Sequence, residues 1–244
     1  MVSEPNAAIT GVVPLALGDQ RQARGRNEWR DGLRVIVRNR VAFAALLFLV
    51  GIHLLAIAAP LIAPRDPEQI TISKRFQRPG DGYALGTDEN GRDVLSRLIY
   101  GARISLLVGS LSVVISVVIG TLAGAVAGYR GGVVDSLIMR FTDGMLAIPT
   151  FFLVLITVTV FGSSVRNLIL VIAFTSWMVI ARVVRSEVLR AAQMDYVLAA
   201  RSLGVPPMRV LLRHLLPSAV PSIIVSTSLG VANAILTESA LSYL

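Results

Sequence analysis

The chain has 244 residues, 54% hydrophobic and 16% charged, with mean hydropathy +0.70, 23 Lys and Arg against 15 Asp and Glu, and no cysteine. Soluble domains carry about a quarter charged residues, and here the basic residues flank apolar runs, which points to a lipid bilayer and away from a soluble fold or nucleic acid. The absence of cysteine excludes a disulfide scaffold, a thiolate zinc site and a cysteine nucleophile.

Residues 1–27 are polar and aperiodic, the pattern of a mobile tail. From Glu28 onward Trp29, Leu33, Ile36 and Val37 fall on one helical face and Arg30, Arg34 and Arg38 on another. A helix lying in the headgroup layer has this pattern, and so does an ordinary juxtamembrane charge cluster. Residues 1–40 are thus expected as an N-terminal tail with an interfacial amphipathic helix, and 41–244 as the membrane domain.

About 20 apolar residues at 1.5 Å each cross the hydrocarbon core. Five runs qualify: about Val41 to Ile62, Ile104 to Gly128, Leu137 to Phe161 with Pro149 inside, Leu168 to Val184, and Ala219 to Leu241. Arginines precede the first (Arg21 to Arg40) and lie between the fourth and fifth (Arg185 to Arg213), so both flanks are expected to be cytoplasmic. The four spans between those flanks satisfy the parity. A segment of about 64–103 then lies outside and a loop of about 185–217 inside.

In the outer segment Asp88 to Gly91 is turn-rich, and Asp93 can cap a short helix through Tyr100. A calcium loop is disfavoured because the liganding Glu at the proper distance is absent. In the inner loop Ala199 and Ala200 allow a helix backbone to approach a partner closely, Gly204 can end that helix in the left-handed conformation, and Pro206 or Pro207 suits the first turn of the next, which Pro217 ends. A hairpin packed on the chain's own spans is the plainer alternative.

Ser105, Gly109, Ser112, Ser116, Gly120, Gly124 and Gly128 form a small-residue seam for helix packing. In the last span Ser222, Ser226, Gly230, Asn233 and Thr237 share a face with Glu238 beside it, which suggests a lining for a translocation path. Arg140 and Asp143, one turn apart, are placed to pair. His53, in the first span, has no second ligand nearby. No phosphate-binding loop, nucleophile motif or metal cluster occurs, so the chain is not expected to catalyse anything alone.

Three blocks carry a family resemblance over roughly Phe43 to Leu244. Leu85-Gly86-Thr87-Asp88 through Gly91-Arg92-Asp93, Ser96-Arg97 and Gly101-Ala102-Arg103-Ile104-Ser105-Leu106 is similar to the outer signature of the second ("C") permease of dipeptide, oligopeptide and nickel importers. Asp135, Met139, Arg140, Asp143 and Pro149 resemble that family's third span. Tyr196 to Pro217 resembles the Glu-Ala-Ala loop that engages ATPase subunits, and Glu238-Ser239-Ala240-Leu241-Ser242 resembles the fifth span.

The resemblance implies an all-α polytopic transmembrane bundle of the type I ABC importer permease kind. It further implies a multi-pass subunit of the bacterial cytoplasmic (inner) membrane, N-terminus cytoplasmic, working with a second permease, ATPase subunits that hold the ATP and Mg, and an external substrate-binding protein. No cofactor is expected in this chain. Leu198, Ala199, Ala200, Gly204, His214, Leu216 and Pro217 would couple to the ATPase. Gly86, Thr87, Asp88, Gly91, Arg92 and Asp93 would form the outer signature, and Ser226, Gly230, Asn233, Thr237 and Glu238 the path.

Two departures stand out. Leu198 replaces the usual Glu of the loop, and the family carries a sixth span beyond the position of Leu244, so the sequence is expected to be part of a longer permease. Cargo stays open among dipeptides, longer peptides, nickel chelates and haem. An ion-coupled transporter or channel is the alternative from another class, although the first four spans offer almost no acid-base pairs at mid-membrane.

Overall fold

The computed structural model describes residues 37–80, 82–162 and 164–243; the amphipathic helix expected around Trp29, Leu33 and Ile36 lies outside them. The chain divides into two compact units, Met1–Gly51 and Ile52–Leu244. In the first, the Asn39 side-chain carbonyl accepts from the backbone N–H groups of Val41 (3.0 Å) and Ala42 (3.3 Å) and so starts helix α1 (Arg40–Ile57).

The second unit holds the end of α1, a one-turn helix α2 (Ala59–Ile62) and an irregular segment over 63–93. Then come α3 (Val94–Arg130), α4 (Gly132–Leu146), α5 (Thr150–Phe161), α6 (Val165–Ala192), α7 (Asp195–Ser202) and α8 (Pro207–Val210), which continues through a π turn (Leu211–Leu215) into α9 (Leu216–Tyr243). The described residues contain no strand, only two isolated bridges. Four of the described helices are long and apolar enough to cross a membrane, or five spans if α4 and α5 count as one. The all-α polytopic reading holds.

Three expectations change in detail. The short helix capped by Asp93 does not stop at Tyr100 but runs unbroken into the second span: no proline interrupts Val94 to Arg130, and its glycines stand singly within the helix. The third span is bent by 77° between α4 and α5. Pro149 lacks an N–H and disfavours helical geometry at Ile148, so the chain restarts at Thr150. Pro217, conversely, does not end a helix. The π turn just before it widens the backbone where its ring would press on the carbonyl of Arg213, and the helix continues to Tyr243.

The second half of the small-residue seam, Ser116 to Gly128, is where α3 meets α6. A Cβ on Gly120 would lie 2.6 Å from the Trp177 carbonyl oxygen, one on Gly124 2.3 Å from that of Ala181, and one on Gly128 2.9 Å from that of Arg185. Residue numbers rise together on both helices, so α3 and α6 run parallel with their backbones nearly touching. Ser116 Oγ donates across the seam to the Ala173 carbonyl (3.0 Å). On α9 the order is reversed: Glu238 meets Ser105, Ile235 meets Gly109 and Gly230 meets Val113, so α9 runs antiparallel to α3. This topology puts the 63–93 segment and the α7–α8 hairpin at opposite ends of the bundle.

Candidate functional site

The hairpin folds onto the bundle by one face. Val197 on α7, and Val210 and Leu215 beyond it, are buried in a cluster with Val184, Val188 and Ala191 of α6, and Ala200, three residues after Val197, is buried as well. Between them the turn is closed by two backbone bonds, Gly204 N–H to the Arg201 carbonyl (3.0 Å) and Val205 N–H to the Ala200 carbonyl (3.1 Å). That pair is the Schellman arrangement, and it needs the left-handed residue at position 204, where φ is +74°. Pro206 and Pro207 then start α8. Arg201 lies 5.8 Å above the Tyr129 ring, and Tyr196 is 6.3 Å from the His214 ring.

The outer face of the hairpin mixes exposed apolar side chains with three exposed arginines, Arg201, Arg209 and Arg213. Leu203 is 84% exposed and Met208 64%, with Leu198 and Leu212 half in the open. Ala199, Gly204 and Pro217 are exposed, while His214 and Leu216 are partly buried. Ala200, expected at a partner contact, faces the chain's own core instead. It sits three residues after Val197, on the same side of α7, so the turn that buries one buries the other. Leu203, at the end of α7, and Met208, in the single turn of α8, escaped the sequence reading because neither helix is long enough there to show a periodicity.

At mid-bundle a cavity of about 600 Å³ opens beside the break between α4 and α5. Ser226, Gly230, Asn233 and Thr237 of α9 line it together with Thr175 and Ser176 of α6 and Thr150 at the start of α5. Among the described residues no charged side chain borders it. Thr150, Thr175 and Ser176 went unnoticed in the sequence; their signal was a hydroxyl inside an apolar span. Two stripe members lie elsewhere. Ser222 donates to Glu187 (2.7 Å), and Glu238, nine-tenths buried, accepts from Ser105 (2.7 Å) on the α3 side. Glu238 follows Thr237 by one residue, a rotation of about 100°, which carries it off the cavity face.

The 63–93 segment explains its own signature. Asp88 accepts from the backbone N–H groups of Asn90 and Arg92 (2.9 Å each), from Arg92 Nε (2.8 Å) and from Arg97. Burial opposes its charge, but the Arg92 and Asn90 amides and both guanidinium groups outweigh it and hold the carboxyl far below the usual carboxylate range. Thr87 Oγ1 accepts from Gln77 N–H (2.8 Å) and donates to the Lys74 carbonyl, and Asp93 caps α3 through Ser96 N–H (2.9 Å). A Cβ on Gly86 would lie 2.3 Å from the Gln77 carbonyl oxygen, and one on Gly91 1.9 Å from that of Thr71. These residues seal 71–80 over 86–93 and thread the chain into α3.

Two ion pairs tie α4 to α6. Arg185 grips Asp135 with two nitrogens (Nη2 to Oδ2, 2.6 Å), and Arg182 reaches Asp143. Asp143 therefore does not pair with Arg140 as expected. The neighbouring helix offers a guanidinium with better reach than one on its own face. His53, in α1, bonds Ser110 of α3 (3.2 Å).

Residues 116–244 match the family model of the binding-protein-dependent transport system inner membrane component, and residues 27–79 that of the N-terminal TM domain of oligopeptide transport permease C. The chain is 36% identical over 216 residues to the dipeptide transport system permease protein of Alkalihalophilus pseudofirmus, covering 88% of this chain and 71% of that protein. It is 38% identical over 228 residues to the oligopeptide transport system permease protein of Haemophilus influenzae (93% and 73%). It is 37% identical over 220 residues to the glutathione transport system permease protein of Pectobacterium atrosepticum (90% and 73%). An all-helical bundle with several membrane-crossing helices, matched over most of its length by such relatives, belongs to the binding-protein-dependent transport system inner membrane component family.

Proposed function

We propose that this chain is a non-catalytic permease subunit of an ATP-driven importer, that di- or oligopeptides are its cargo, and that the 195–217 hairpin docks on the ATPase. The observation that carries the reading is the hairpin itself: one face locked into the α3–α6 core, the other open to a partner and presenting Leu198, Leu203, Met208 and Leu212 among arginines. Leu198 makes that contact apolar where a carboxylate would have made it ionic. Since α8, the π turn and α9 form one continuous helix, a displacement of the hairpin is passed along α9 to Ser226, Asn233 and Thr237, and along α6 to Thr175 and Ser176. Nucleotide-driven movement at one end thus reshapes the cavity in the middle, which is the mechanical content of alternating access.

A largely apolar cavity in which a few hydroxyls and the Asn233 amide converge, without charge, suits a peptide, whose main chain can bond those groups. Dipeptides, oligopeptides and glutathione, the substrates in the relatives' names, share that chemistry. The remaining parts of the machine are a second permease completing the path, the ATPase subunits that bind ATP and Mg, and a binding protein delivering cargo to the 63–93 end. The arginine distribution supports the reading in which that end lies outside the bacterial inner membrane and the N-terminus in the cytoplasm.

Leu203→Glu and Met208→Glu test the docking face, since both side chains are exposed and neither supports the bundle. The expected outcome is normal insertion with loss of ATPase copurification or of substrate-stimulated hydrolysis. Asn233→Trp should block peptide uptake with assembly and basal hydrolysis preserved. Normal transport by the two glutamate variants with the ATPase bound would remove the coupling role of the hairpin.

A further inference from the structure

We propose a phospholipid site on the flank of the bundle, in the trough between α1 and α3, with Arg103 holding the lipid phosphate. The trough has a volume of about 410 Å³ and is lined by His53, Ala56 and Ile57 of α1 and by Arg103, Leu106, Leu107, Ser110, Leu111 and Val114 of α3. It is apolar along its length except for the His53–Ser110 hydrogen bond and the arginine at one end.

Three observations converge on a lipid rather than on packing. First, Arg103 is the last charge before the uninterrupted neutral run Ile104 to Tyr129, so it sits where the apolar span begins, at headgroup depth. Second, it makes no hydrogen bond or ion pair among the described residues, although Arg92 and Arg97 nearby both hold Asp88. Its Cα–Cβ bond tilts toward the α3 N-terminus, so the guanidinium leans out toward the headgroups. Third, the lining residues 103, 106, 107, 110, 111 and 114 recur at helical spacing over 11 residues, a trough of about 16 Å running from the headgroup level inward. A cation at the mouth of a groove of that length matches an amphiphile with a phosphate head and an acyl tail. Arginine presents the planar fork that a phosphodiester accepts.

The site lies apart from the cavity lined by α5, α6 and α9, and it does not depend on the cargo assignment. A lipid there would fill the open flank between α3 and the last turns of α1.

The test is native mass spectrometry of the full chain, purified in mild detergent with the subunits that accompany it, using phosphatidylglycerol and phosphate-free diacylglycerol as probes. The wild type is expected to retain phosphatidylglycerol and not diacylglycerol. Arg103→Gln should lower retention about tenfold, the scale of a lost charge-assisted hydrogen bond, and Arg103→Lys should keep most of it. Leu107→Trp, which fills the trough with the arginine intact, should lower it as well. Millimolar inorganic phosphate should leave retention unchanged; displacement by phosphate would mean a free-anion site and overturn the proposal. Equal retention by Arg103→Gln, or equal binding of diacylglycerol, would overturn it too. So would crosslinking of a cysteine at Leu107 to another subunit, which would put protein in the trough.

Discussion

Gly204 is the residue on which the hairpin turns, and substitution there separates a conformational requirement from a packing one. A Cβ at this position meets nothing within 4 Å in this chain, so a substitution adds no clash here and the turn itself feels only φ +74°. Placing an L-residue in the left-handed region costs about 1–2 kcal/mol, more for a β-branched side chain and much less for Asn. The expected order of perturbation is therefore Asn, then Ala, then Val. The bundle is held elsewhere, so the penalty falls on the local opening of the turn, whose amides at Gly204 and Val205 close the Schellman bonds. Their hydrogen exchange should accelerate roughly 5–30-fold in Gly204→Ala, the factor that 1–2 kcal/mol represents. Substrate-stimulated ATP hydrolysis in the assembled importer should fall in the same order. If Gly204→Asn proved as damaging as Gly204→Val, bulk and not backbone conformation would govern the site. If Gly204→Val exchanged and coupled like the wild type, the turn could not be as described.

Further outcomes follow from the same geometry. Gly124→Ala places a methyl about 1 Å inside the contact distance to the Ala181 carbonyl, so the α3–α6 seam must open, lowering stability by about 1–3 kcal/mol in thermal unfolding in detergent, whereas Gly101→Ala, with nothing within 4 Å, should be neutral or stabilising. Asp88 has a folded-state pKa depressed below the ordinary 3.8, so its contribution is complete above that value and is lost as pH falls through the depressed one. Protease resistance of the 63–93 segment should hence be flat from pH 8 to about pH 5 and fall only in stronger acid, while Asp88→Asn weakens it at neutral pH. Since the chain has no cysteine, single cysteines report topology directly. One at exposed Glu89 should react with an impermeant reagent from outside, and one at exposed Arg209 should not; the reverse would invert the orientation.

Composition, apolar run lengths and the flanking arginines were enough to establish a polytopic helical membrane protein, because a bilayer admits few solutions and each leaves a long, one-dimensional signal. Local chemistry was equally legible. Gly204 in the left-handed region, Pro206–Pro207 opening α8 and Asp93 capping α3 depend on neighbours in the chain, and all three occur as expected. The structure decided whatever depends on which helix lies alongside. Ala200 looked available to a partner until it proved buried on the same side of α7 as Val197; Asp143 chose Arg182 across a helix interface over Arg140 on its own; and Glu238 left the cavity face once α9 met Ser105. Pro149 and Pro217 show the same limit from the backbone side. Both are prolines in apolar runs, yet one bends a span by 77° and the other is absorbed by a π turn. A proline removes one N–H and crowds one carbonyl wherever it stands, and the packing of neighbouring helices determines whether the chain breaks there or widens.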